Sequence, residues 1–126
     1  MEPIGENLDD VLKKLLAAIP EIKAAAITSL EGLPIASALP LNMDETRVAV
    51  MNAVLLAITK YLIFEMKEGE FHQISIKGRD GYYIVLPCGA NAIIAFSTTK
   101  DIRLDFFNNL SFSGRWGGDR PHPLEI

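Results

Sequence analysis

Residues 48–64 form a helix-length run that is apolar on almost every side. At 100° per residue, Val48, Met51, Leu55, Leu62 and Met66 make one stripe, with Ile58 at its margin. Val50, Val54, Ala57, Tyr61 and Phe64 make a nearly opposite stripe. Ala49, Ala53, Leu56 and Ile63 lie between them, interrupted only by Lys60. A helix apolar all round has to be buried all round. In a chain of 126 residues one face can pack on a sheet, but little is left to cover the other. Leaving several Leu, Ile, Phe and Tyr side chains exposed would cost roughly 1.5–3 kcal/mol each and create an aggregation-prone patch. The run therefore predicts self-association. It is shorter than the roughly 20 residues of a membrane span, and Asn52, Thr59 and Lys60 lie inside it. A buried helix of a soluble protein is the expectation.

The rest of the composition narrows the class. Apolar residues make up 49% and net charge is only −4, so the chain is not disordered, and its length suits one domain. One cysteine, Cys88, excludes a disulfide scaffold. The acidic balance gives no footprint for nucleic acid. The first ten residues are acidic and contain Pro3 and Gly5, unlike a signal peptide. Glu2 stands where myristoylation needs glycine. A cytoplasmic location is expected.

Hydrophobic periodicity sets the order of elements. Leu8, Val11, Leu12, Leu15, Leu16 and Ile19 give a helix over residues 6–19, stopped by Pro20. Residues 22–28 and 33–38 read as a hairpin around Glu31-Gly32, with Pro34 suited to an edge strand. Residues 42–67 form the long helix, with Asn42 as N-cap, Glu45 as its capping-box partner and Gly69 as the stop. Residues 71–77, 82–87 and 91–97 form a meander through Arg79-Asp80-Gly81 and Cys88-Gly89-Ala90-Asn91. A helix over residues 101–110, capped near Thr99 or Asp101, precedes a Gly/Pro-rich tail. Short links make the sheet mostly antiparallel. Tyr82, Ile84 and Leu86 alternate with Tyr83 and Val85, so both faces of the sheet are covered.

Residue patterns for chemistry are sparse. There is no phosphate-binding glycine loop. His72 and His122 have no partners at metal-ligand spacing, and His72 reads as a covered strand-edge residue. Cys88 reads as an inert thiol in a turn. Asp9-Asp10 read as a solvated helix face, Asp44-Glu45 as a helix N-terminus, and Glu65, Glu68 and Glu70 as a solvated helix end. In the tail, Arg115, Trp116 and Arg120 offer a short docking segment. No catalytic residue, metal or cofactor is assigned.

Several strings resemble the Roadblock/dynein light chain domain family. They are Ile27-Thr28-Ser29-Leu30-Glu31-Gly32-Leu33-Pro34-Ile35-Ala36-Ser37 at the hairpin, Phe71-His72-Gln73-Ile74-Ser75-Ile76, Gly81-Tyr82-Tyr83-Ile84-Val85-Leu86-Pro87, and Ala92-Ile93-Ile94-Ala95-Phe96. The chain looks like a stand-alone prokaryotic member, similar in style to archaeal ones. The resemblance implies a layered α/β (α+β), profilin-like fold: a five-stranded antiparallel sheet with the long helix on one face and the terminal helices on the other. Residues 1–111 would be the domain and 112–126 the tail.

The resemblance also implies dimerisation through the third strand and the long helix. The interface would be Val48, Met51, Val54, Leu55, Ile58, Tyr61 and Leu62, with Phe71, His72, Gln73, Ile74, Ser75 and Ile76. Family members bind and regulate small Ras-like GTPases or serve as scaffold subunits. The chain would pair with itself or with another Roadblock protein, and would present Asn52, Thr59 and Lys60, with Arg115 and Trp116, to a GTPase. The other readings are an assembly subunit without effect on GTP hydrolysis and a small-ligand sensor with an enclosed, polar-lined pocket.

Overall fold

The computed structural model describes residues 7–108. It contains helix α1 (Leu8–Ala18), strands β1 (Ile22–Ser29) and β2 (Pro34–Ala38), helix α2 (Glu45–Met66), strands β3 (Ile74–Lys77), β4 (Gly81–Pro87) and β5 (Ala92–Thr99), and helix α3 (Leu104–Asn108). The strands form one sheet in the order β2-β1-β5-β4-β3. All four pairings are antiparallel. The expected architecture is thus present, with β2 and β3 at the two edges.

Alternation along the strands divides the interior into two layers. On one face Leu12, Ile22, Ala25, Ile27, Ile84, Leu86, Ile94 and Phe96 close on Ile102, just before α3, and Phe107, within it. The Phe96 and Phe107 rings sit 5.2 Å apart, a tilted contact. On the other face the buried set is much smaller: Leu56 of α2 over Val85, Ile93 and Ala95. The terminal helices lie over the large core and α2 over the small one, in agreement with the strand alternation.

Helix α2 sits close to its floor because that floor is made of small residues. Ala24, Ala26 and Ala95 are buried beneath it, and Ala49 of the helix is fully buried. Gly32 in the β1–β2 turn has φ +95°, and a Cβ there would come 3.4 Å from Ala53 Cβ. That position needs glycine's access to positive φ.

Several element ends differ from their expected places. Asp44, not Asn42, caps α2, accepting from Thr46 N–H at 3.0 Å. Glu45 makes no capping box. Its carboxylate accepts from Ser37 Oγ at 2.7 Å. The helix closes on Lys67 in the left-handed region, φ 58°, two residues before Gly69. The strand expected over residues 71–77 begins only at Ile74. The register pairing Ile74 with Val85 would set His72 opposite Pro87, which has no N–H for a ladder. Phe71 instead packs against the Leu56–Val85 cluster. The last helix starts at Leu104 rather than Asp101.

One polar contact ties α2 to the sheet. Asn52 is 1% exposed, and its Oδ1 accepts a hydrogen bond from the Tyr83 hydroxyl. Burial pushes the Tyr83 phenol above its usual range, with the bond to Asn52 acting in the opposite direction. Tyr83→Phe leaves the Asn52 carbonyl buried without its donor and is expected to cost about 1–3 kcal/mol. Asn52→Leu with Tyr83→Phe should cost less than the sum of the two single changes in a denaturant double-mutant cycle. Because the folded-state pKa of Tyr83 is raised, its contribution is intact below about pH 10 and falls as pH rises beyond it. Tyr83→Phe should remove that alkaline loss, measured as the pH dependence of Tm.

Candidate functional site

The stripe of α2 that meets the sheet is Ala49, Asn52 and Leu56, with Ala53, Thr59 and Ile63 half-buried beside it. Most of this set lies between the two apolar stripes of the sequence. The small floor selects it, since Ala49 and Ala53 allow the closest approach. Both stripes are therefore left largely outward. Val50, Met51, Val54, Ile58, Tyr61, Leu62, Phe64 and Met66 are between 50% and 74% exposed. At 100° per residue, Val54, Ile58 and Tyr61 project away from the sheet, with Met51 turned toward the β3 side, at alternating spacings of three and four. That is the spacing of a helix–helix seam.

On the β3 side, Val48 and Leu55 are half-buried at the flank of the helix. With Met51, Ile76 and Tyr83 they line an apolar groove of about 390 Å³ between α2 and the sheet. Ile74 packs into the small core, and Ser75 and Ile76 are exposed along the free edge of β3. The structure thus brings Val48, Met51, Leu55 and Ile76 together along one apolar groove, with Ile74 packed on the same small core as Leu55, while Ser75, paired with Ile84, points to the other face of the sheet. Phe71, His72 and Gln73 are half-buried and stand before the strand rather than in it. His72 Nε2 is 3.9 Å from Glu70.

The residues expected to face a partner separate. Asn52 is not available, because it is 1% exposed and its Oδ1 accepts from Tyr83 beneath the helix. A lone asparagine in an apolar helix reads as an outward polar residue, and the hydroxyl that draws it inward is 31 positions away in sequence. Thr59 is half-buried and Lys60 exposed. Lys60 borders a second groove, of about 430 Å³, with Phe64 and Phe71 under the C-terminal half of α2. Arg115, Trp116, Arg120, His122 and the boundary at residue 111 lie outside the described residues.

The two edges of the sheet are unlike. β3 pairs with β4 in unbroken register from Ile74 to Lys77. β2 contains Pro34, and its register with β1 shifts between Ile27 and Thr28. Its Ser37 N–H donates to Asp9 Oδ1 at 2.8 Å. The helical pattern marks Asp9 only as a solvated residue. Its role is hidden in the sequence because its partner is a backbone group 28 positions on.

Among the described residues, no group of three or more His, Cys, Asp or Glu side chains is placed to hold a metal. Cys88 is half-buried, and burial pushes its thiol pKa up, which disfavours the reactive thiolate. The groove beside α2 has few polar groups, chiefly Asn52, Tyr83 and Ser97, and two of these are bonded to each other. It lacks the converging polar set expected of a small-ligand sensor. Helix α2, at 22 residues, is long and apolar enough to cross a membrane, so the length considered over residues 48–64 does not exclude a span. In this structure the helix is seated on the sheet, and withdrawing it would uncover Val85, Ile93 and Ala95.

The Roadblock/LC7 domain family model matches residues 8–98. A Roadblock/LC7 domain from Streptomyces avermitilis superposes with a TM-score of 0.76 at 14% identity, covering 94% of this chain and 99% of that one. MglB of Myxococcus xanthus gives 0.70 at 20% identity, with 78% and 80% covered. The gliding protein MglB from Thermus thermophilus gives 0.63 at 18% identity, with 86% and 78% covered. No curated protein matches the sequence. The family match spans the hairpin, the long helix and the meander that together form this surface, and the chain belongs to the Roadblock/LC7 domain family.

Proposed function

We propose that this protein is a non-enzymatic, cytoplasmic homodimer that regulates or scaffolds a small Ras-like GTPase. The observation that carries the dimer is the continuous apolar surface from Met51 and Leu55 to Ile76 beside an unprotected β3 edge. A second copy of β3 laid against that edge would extend the sheet and bring two α2 helices side by side. Each helix would then cover the other's flank, and the groove beside Tyr83 would be closed by the partner. Exposed apolar side chains on this scale are otherwise a liability in a soluble protein. Membership in the Roadblock/LC7 family and the shared fold with MglB support a GTPase-pathway partner. The platform formed by the paired helices is where that partner would dock, with Lys60 at its margin beside the groove under the C-terminal half of α2.

Two outcomes test this reading. Ile58 is 55% exposed in the single chain, so Ile58→Asp should leave the fold intact. In the dimer the same charge is desolvated without a partner, at a cost of about 2–5 kcal/mol. Light scattering should show a folded monomer for Ile58→Asp where the wild type is a dimer. An unchanged dimer mass would place the interface elsewhere. Leu55→Asp, half-buried against the sheet, should unfold instead. For the partner, Ras-like GTPases of the source organism loaded with GTP or GDP should be retained by the immobilised protein in at least one state. Retention in neither state contradicts the proposal. Co-purification with a different protein and an unchanged hydrolysis rate would identify an assembly subunit.

A further inference from the structure

An edge strand presents outward N–H and C=O groups that template pairing with another chain. The sheet has two such edges, β2 and β3, and they differ. At β2 one outward group is Ser37 N–H, which donates to Asp9 Oδ1 at 2.8 Å. The Ser37 hydroxyl donates to Glu45 Oε1 at 2.7 Å. Asp9 lies in the first turn of α1, over the large core, and Glu45 is the first residue of α2, on the opposite layer. Ser37 is therefore gripped from both layers at the rim of the sheet.

We propose that Asp9 is the residue that ends the sheet at β2 and so confines strand addition to β3. The occupant it excludes is the β2 strand of a second copy. The carboxylate satisfies the outward donor with a charge-assisted hydrogen bond. It also places negative charge where an incoming strand would bring its carbonyl oxygen. An added strand would lose a bond and meet a repulsive group in one step. Pro34 and the register shift beside it narrow the remaining edge to a few residues, leaving Ser37 as the central outward amide. The number of copies that results rests on the reading of β3 as the dimer edge. With β3 paired and β2 shut, assembly closes at two chains. With both edges open, alternating β3 and β2 pairings would run on without closing.

Sedimentation velocity over a wide dilution series tests this with three variants of the full chain. Asp9→Ala is expected to form concentration-dependent species at least about twice the wild-type mass. Asp9→Asn keeps an acceptor oxygen and should keep the wild-type mass. Asp9→Ala with Ser37→Pro removes the outward N–H itself and should return to the wild-type mass. Wild-type mass for Asp9→Ala throughout the series overturns the proposal, as does growth that persists in the double variant. If the wild type is a monomer, the dimer reading fails on its own. Asp9→Ala is then expected to pair, and its remaining monomeric overturns the blocking role of Asp9 separately. If Asp9→Ala does not fold, hydrogen exchange at the wild-type Ser37 amide decides: protection is expected, and exchange at the unfolded-chain rate overturns it.

Discussion

The seat of helix α2 on a floor of alanines governs the rest of the structure. Ala24, Ala26 and Ala95 let Ala49 and Leu56 come down onto the sheet, and this narrow stripe is all the helix buries fully, together with Asn52. The opposite face of the sheet is different in kind. There Phe96, Phe107, Ile84, Ile94 and Leu12 make a full core. The domain is therefore asymmetric, with one layer that satisfies itself and one that does not. Apolar burial contributes roughly 25 cal/mol per Å², and α2 leaves much of that contribution unrealised within a single chain. Met51, Val54, Ile58 and Tyr61 are the residues through which a second chain would recover it.

The polar contacts sharpen this division. The hydrogen bond from Tyr83 to Asn52 turns that side of α2 toward the sheet, which sets the opposite side outward. Asp9 and Glu45 engage the same serine from opposite layers and close the rim at β2. The remaining edge, β3, is short, regular and adjacent to the exposed flank of α2. An apolar helix flank and an open strand edge on the same side of a sheet form one surface, and a two-fold copy can cover both at once.

Much of this is legible in the residues. Alternation places Tyr82, Ile84 and Leu86 on one face and Tyr83 and Val85 on the other, and the structure agrees. The excess of apolar residues around α2 points to a helix with more than one face to cover. Periodicity cannot say which stripe meets the sheet, because every candidate stripe is apolar. Side-chain size decides it, and the small residues concerned lie on β1 and β5, far from α2 in sequence. Asn52 reads as outward for the same reason: polarity is local, whereas the Tyr83 hydroxyl that bonds its Oδ1 belongs to another element. Asp44 is the cap in place of Asn42, and Glu45 bonds Ser37 of a distant strand rather than reaching back along the chain. Roles that depend on a backbone group of a distant strand, as with Asp9, leave no pattern in the residues around them.

On the proposed reading, β3 is a pairing edge and the flank of α2 beside it is covered in solution. Hydrogen exchange of the wild-type chain, followed by mass spectrometry across β3 (Ile74–Lys77) as protein concentration is lowered, tests it most directly. Edge pairing predicts strong protection of β3 at high concentration, lost on dilution while the amides of β1 and β5 stay protected. Exchange at β3 that is fast and independent of concentration would contradict it.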